Sequence, residues 1–193
     1  MAAAPKHRDA IVAAAVKLFR EQGYAATGLS EILAVSGAPK GSLYHYFPGG
    51  KVAIGVAAIR AATETVARTL EELTAEARHP GDVPRRYFEL TAGWLADSDF
   101  RDGSPIATIL LETASEHEEI RIAGQEAYAR WRGLLQRSMT ERGVEAERAQ
   151  RIAGLIMAAV EGALLQVRVA RDTAPLAEAG EEIARLIDQA VRG

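Results

Sequence analysis

Lys40, Tyr44, His45, Tyr46 and Lys51 fall within twelve consecutive residues. They bring together two cations, an imidazole and two phenols, with no carboxylate or nucleophile among them to support acid–base or covalent catalysis. The surrounding stretch is unusually free of negative charge. No Asp or Glu occurs between Glu31 and Glu64, where about four would be expected from the chain's average of 26 in 193 residues. A segment that sheds its acids and displays cations beside aromatic hydroxyls suits a polyanion.

The elements that would position these groups can be read from the flanking pattern. A first helix runs from about Lys6 to Gln22, with Ile11, Ala15, Leu18 and Phe19 along one stripe, and Gly23 supplies its stop. Thr27 is placed to cap a second helix whose Leu29, Ile32 and Leu33 face inward. Ser36-Gly37 turns the chain, Pro39 fits the first position of a third helix, and Pro48-Gly49-Gly50 ends it. This is the layout of a helix-turn-helix whose third helix enters a DNA major groove. Lys40 stands at the exposed start of that helix, Tyr44 and His45 follow on the next turn, and Gly41 permits close backbone approach. Thr27, Lys40, Gly41, Ser42, Tyr44, His45, Tyr46 and Lys51 form the candidate DNA-contacting set. Phe47, Tyr24 and Leu43 read as core.

Everything beyond reads as helix too, and no period-2 strand pattern is visible. From Lys51 to about His79 runs one helix of about 40 Å at 1.5 Å per residue, ended by His79-Pro80-Gly81. Five further helical patterns follow, and a Ser115-Glu116-His117-Glu118 capping box opens one of them. The expected fold is all-α with about nine helices. Its parts are a helix-turn-helix domain at 1–50, a connecting helix at 51–80, and a ligand-binding and dimerisation domain at 81–193.

Composition narrows the function further. The 193 residues are 48% apolar and 25% charged, enough for a substantial core. No apolar run near 18 residues stands out, so no membrane span is expected. Zero cysteines exclude disulfides and thiolate metal sites and fit a reducing cytoplasm. Residues 1–51 hold six Lys/Arg against three Asp/Glu, and the remainder 17 against 23, so a +3 head sits on a −6 body. Only the head is therefore expected to meet nucleic acid. Glu112, Glu116, His117, Glu118 and Glu119 invite a metal reading, but no Glu-x-x-His pair is present and Glu118 suits the capping box. No Ser/His/Asp or paired-carboxylate arrangement and no phosphate-cradling glycine motif emerges, so neither an enzyme nor a cofactor is expected.

The run from Phe19-Arg20-Glu21-Gln22-Gly23-Tyr24 through Thr27, Ile32, Gly37, Lys40-Gly41-Ser42-Leu43-Tyr44-His45-Tyr46-Phe47 and Lys51 strongly resembles the TetR family of transcriptional regulators. Asp102-Gly103-Ser104-Pro105-Ile106-Ala107, Trp131-Arg132, Glu161-Gly162-Ala163-Leu164 and Thr173-Ala174-Pro175-Leu176 look like the LmrA/YxaF-like subgroup. The resemblance implies a homodimeric, usually repressing DNA binder released by a small molecule. It also implies operator contacts at Thr27, Lys40, Tyr44, His45, Tyr46 and Lys51. Gly28 departs from the pattern, standing where many members carry a phosphate-binding Ser or Thr. Pro39 replaces a frequent Ser, and Pro48-Gly49-Gly50 is one residue longer than the commonest linker.

For the second lobe, Trp94, Ile106, Leu110, Trp131, Met157 and Glu161 are the candidate lining of an effector cavity, whose aromatic weighting suits an apolar or aromatic ligand. Gly154, Ala158 and Gly162 recur every four residues. With Ile183, Leu186, Ile187 and Ala190 they form a candidate two-fold interface. A transcriptional activator of the same fold, a helical binding protein with a vestigial head, and a small all-α enzyme are the competing readings.

Overall fold

Two glycines with positive φ, Gly23 at 91° and Gly37 at 63°, end the first two helices in the left-handed conformation that a side chain disfavours. Each donates its N–H back to a helix carbonyl, Gly23 to Phe19 and Gly37 to Leu33. The computed structural model describes residues 5–192, which contain helices and no strand. They are α1 (Pro5–Gln22), α2 (Leu29–Ser36), α3 (Lys40–Tyr46), α4 (Gly50–Glu76), α5 (Asp82–Asp97), α6 (Ala107–Thr113), α7 (Glu118–Thr140), α8 (Ala146–Ala170) and α9 (Ala174–Arg192). The all-α expectation holds for these residues.

Several local expectations do not. The N-cap of α2 is Gly28, and no side chain caps that helix. Thr27 instead turns inward and donates its hydroxyl to the Gly23 carbonyl at 2.7 Å. Pro39 is the extended N-cap of α3 rather than its first helical residue. Glu118 does not serve a capping box, because Arg121 holds its carboxylate through two bonds of 2.6 and 2.7 Å.

The chain forms two compact units. The first comprises the residues up to Glu64 together with Ser104–Ala127. Its core joins Ile11, Phe19, Ile32, Leu43, Ile54 and Ile59, all fully buried, to Ile106, Ile109 and Ile120. The division therefore differs from the one expected at residues 50 and 80. Sequence breaks mark where helices end, whereas α6 packs back onto α1 and a Cβ on Gly55 of α4 would meet Ile120 of α7 at 3.3 Å.

The second unit comprises Thr65–Gly103 and the residues from Tyr128 onward. Here α5 and α8 pack against α9, burying Phe88, Val160, Val167, Leu176, Ile183 and Ile187. Close approach of α5 and α9 depends on Gly180, where a Cβ would lie 2.8 Å from Phe88 Cβ. The Arg142 guanidinium reaches the end of α4, donating to the Thr74 and Ala77 carbonyls at 2.6 and 3.4 Å, groups a helix end leaves unpaired. Glu145 caps α8 by accepting the Glu147 and Arg148 N–H groups, both at 2.8 Å. By length and composition alone α8 is apolar enough to cross a membrane, although no such stretch was expected; 44% of that window is buried inside the fold.

Candidate nucleic-acid interface

The α2–turn–α3 segment is built on its apolar side. Ile32 of α2 and Leu43 of α3 are fully buried, and Phe47, just past α3, is nearly so. A seven-residue helix with Leu43 and Phe47 anchored inward must turn its other positions outward. Lys40, Gly41, Tyr44 and His45 accordingly lie exposed, Tyr44 at 54%. The His45 and Tyr46 rings meet edge to face at 4.9 Å between centroids, and Tyr46 is half-buried. Thus a cation, an imidazole and a phenol share one short exposed helix face with no carboxylate among them.

Three members of the candidate set fall elsewhere. Ser42 is buried beside Leu43. Thr27 is fully buried, and its hydroxyl donates to the Gly23 carbonyl and accepts from Gln22 Nε2 at 3.3 Å. For Thr27 the cause is local: a small hydroxyl at an inward position satisfies itself on nearby backbone. Lys51 is half-buried. Its ammonium donates to the Ala25 carbonyl at 3.3 Å and sits 4.4 Å over the Tyr24 ring. Burial lowers the Lys51 pKa, while the Glu112 carboxylate opposes that change.

Glu112 makes contacts with this segment that the sequence did not reveal. From the last turn of α6 its two oxygens accept the Tyr24 N–H at 3.2 Å and the Ala25 N–H at 2.5 Å. One turn earlier, Thr108 donates to the Phe19 carbonyl at 3.1 Å. The only sequence signal was Gly23, since a Cβ there would lie 2.5 Å from Glu112 Oε1. Among the described residues no cluster of three or more His, Cys, Asp or Glu could hold a metal ion.

Of the candidate effector residues, Trp131, Met157 and Glu161 belong to the second unit. Tyr128 donates to Glu161 at 3.1 Å and meets Trp131 edge-on at 5.7 Å, while Met157 is buried one turn before Glu161. Burial, and then the Glu161 charge, push the Tyr128 and Tyr87 phenols well above their ordinary pKa. Trp94 is 45% exposed on α5 rather than buried, and Ile106 and Leu110 belong to the first unit.

The interface candidates also divide. Ala158 and Gly162 are exposed and Gly154 half-exposed, in a stripe continued by Leu155, Leu165 and Val169 at 47%, 65% and 80% exposure. Leu186 and Ala190 are half-buried. Ile183 and Ile187 are buried within their own unit, because α9 turns them toward α5 and α8.

Residues 11–58 match the family of bacterial regulatory proteins, tetR family. Residues 80–182 match the C-terminal domain of LmrA/YxaF-like transcriptional regulators. Over 170 residues the chain is 32% identical to the HTH-type transcriptional regulator LmrA of Bacillus subtilis (strain 168), covering 88% of this chain and 90% of that one. It is 31% identical over 180 residues to the uncharacterised HTH-type transcriptional regulator YxaF of the same organism, covering 93% and 94%. Among solved structures, regulatory protein TetR from Rhodobacter sphaeroides superimposes with a TM-score of 0.81 at 25% identity, covering 92% of this chain and 97% of that one.

Proposed function

The chain belongs to the TetR family of bacterial transcriptional regulators, with an LmrA/YxaF-like C-terminal domain, and from that premise we propose that it is a homodimeric repressor released from a palindromic operator by a small apolar or aromatic effector. It is a DNA-binding regulator and not an enzyme. The observation that carries the reading is the acid-free exposed face of Lys40, Gly41, Tyr44 and His45 on α3. Lys40 neutralises a phosphate, and Tyr44 and His45 reach a groove edge or the backbone. The uncapped start of α2, with exposed Gly28, leaves backbone N–H groups for a further phosphate, which the missing hydroxyl at that position would otherwise have served.

Two copies would place their α3 helices in successive major grooves, with half-sites about 34–36 Å apart or a multiple of that. The exposed α8 stripe is the surface on which the copies meet. The effector binds beside Trp131, Met157 and Glu161, where an aromatic wall carries a polar handle. Its binding shifts the population toward a head spacing that no longer fits the operator, with α4, which contributes residues to both units, as the connecting rod. Such a protein works in the cytoplasm without a membrane partner.

The test uses a duplex from the gene's own upstream region. Lys40→Ala and Tyr44→Ala should each weaken binding by tenfold or more, at about 1.4 kcal/mol per tenfold. Lys40→Ala should also flatten the dependence of log K on log salt by about 0.9, the increment for one phosphate contact. Wild-type affinity in both variants would refute α3 as the reader.

A further inference from the structure

Ala25, in the turn between α1 and α2, has both of its backbone polar groups held by opposite charges from two other helices. Glu112 of α6 accepts its N–H at 2.5 Å, and Lys51 of α4 donates to its carbonyl at 3.3 Å. Glu112 also accepts the neighbouring Tyr24 N–H at 3.2 Å, so a single carboxylate spans two consecutive amides. Lys51 covers the Tyr24 ring at 4.4 Å, and that ring packs on Phe19 at 5.1 Å. The carboxylate can reach the turn because residue 23 has no side chain, a Cβ there lying 2.5 Å from Glu112 Oε1. Thr108, four residues earlier on α6, adds its bond to the Phe19 carbonyl at 3.1 Å. Thr108 and Glu112 therefore share one face of α6, and that face grips the end of α1 and the turn into α2.

The turn is where the orientation of the reader is set. Tyr24 accepts the Thr27 N–H through its carbonyl at 3.1 Å, and the Thr27 hydroxyl closes the same turn on Gly23 at 2.7 Å. Gly28 then begins α2. Moving residues 24 and 25 moves the start of α2 and with it α3. The matched families place the two sides of this grip in different modules: Ala25 lies within residues 11–58 and Glu112 within residues 80–182.

We propose that Glu112 is a positioning residue for operator recognition, a carboxylate clasp through which α6 of the C-terminal domain fixes the α1–α2 turn and so the angle at which α3 meets DNA. The inference rests on the DNA-reading assignment of α3. Glu112 itself touches no DNA. Its role is to hold two amides in register, with Lys51 balancing its charge on the other side of Ala25.

The experiment compares wild type, Glu112→Ala and Glu112→Gln. Its probe is a duplex selected from a randomised pool by the wild-type protein, remade with its half-site spacing changed by one base pair either way. Glu112→Ala should bind the selected duplex about tenfold more weakly, within the range of coupling between sites. It should also discriminate less between the correct and the altered spacings. Glu112→Gln, which keeps one acceptor, should fall between. In the free protein, amide hydrogen exchange at Tyr24 and Ala25 should quicken in Glu112→Ala while amides of α8 stay unchanged. Equal weakening on all spacings with a lowered unfolding midpoint would reduce Glu112 to a structural prop and overturn the proposal, as would unchanged affinity with unchanged exchange. If the wild type selects no duplex, the DNA-reading assignment fails, a result distinct from selection by the wild type with no effect of Glu112→Ala.

Discussion

Tyr128 of α7 donates its phenolic hydrogen to the Glu161 carboxylate of α8 at 3.1 Å. Burial and the nearby negative charge both favour the neutral phenol, so its pKa stands above the ordinary value, and that of the nearly wholly buried Tyr87 does too. The native state keeps these protons after an unfolded chain would release them near pH ~10. The contribution to stability is complete below that pH and is lost as pH rises through the folded values. An alkaline titration followed by phenolate absorbance should show phenols that ionise late, or only when the protein unfolds. Tyr128→Phe should remove one late phenol and soften the loss of stability above pH ~10. A wild-type titration in which all five tyrosines ionise together near the ordinary value would contradict this.

Thr27→Val should separate folding from DNA contact. The hydroxyl is fully buried and bonded to the Gly23 carbonyl, so valine leaves that carbonyl without this donor at a cost of about 1–3 kcal/mol. Urea denaturation should show the loss. The salt slope of operator binding should stay at its wild-type value, because no phosphate contact has been removed. A smaller slope in Thr27→Val would return Thr27 to the DNA surface.

These two cases mark the limit of what the sequence made legible. The helix-turn-helix was readable because Gly23, Gly37 and the Pro48-Gly49-Gly50 break punctuate a short apolar pattern that admits one arrangement. Lys40, Tyr44 and His45 were readable because Leu43 and Phe47 must face inward, which leaves the other positions exposed. The burial of Thr27 and Ser42 was not legible, because a small hydroxyl suits a cap, a phosphate or an inward position equally well, and only three-dimensional surroundings choose. Glu112 was invisible for a different reason. Its partners, Tyr24 and Ala25, are backbone amides 88 and 87 residues away, and local side-chain patterns encode peptide contacts only with near neighbours in sequence. The divisions after Glu64 and Ala127 were hidden likewise, since helices α4 and α7 run through them without a break.

Arg142→Ala should destabilise the second unit. The guanidinium donates to the Thr74, Ala77 and Ser138 carbonyls, the first in the last turn of α4 and the second just past its end. Its loss should cost about 1–3 kcal/mol in a urea titration. Arg142→Lys should recover only part, because an ammonium lacks the planar fork that reaches several acceptors at once. Full recovery by lysine would mean that charge alone, and not the shape of the group, holds that helix end.

The exposed face of α8 yields the final prediction. A helix apolar on all sides needs cover on all sides, yet α8 buries only one face in its own unit. Leu155, Ala158, Gly162, Leu165 and Val169 stay open, Leu165 at 65% and Val169 at 80%. Small residues at 158 and 162 let a second helix approach closely, and a two-fold axis there would bring each stripe against its own copy. Leu165→Glu should leave the monomer folded, since the side chain is mostly in solvent, but should set two carboxylates into the apolar interface of the dimer. Ile187→Glu serves as the contrast: that side chain is fully buried in its own unit, so the charge should unfold the protein rather than dissociate it. Sedimentation velocity and circular dichroism distinguish the outcomes. A helical, monomeric Leu165→Glu that no longer shifts a two-half-site duplex is the expected result, and a Leu165→Glu that stays dimeric would move the interface off this face of α8.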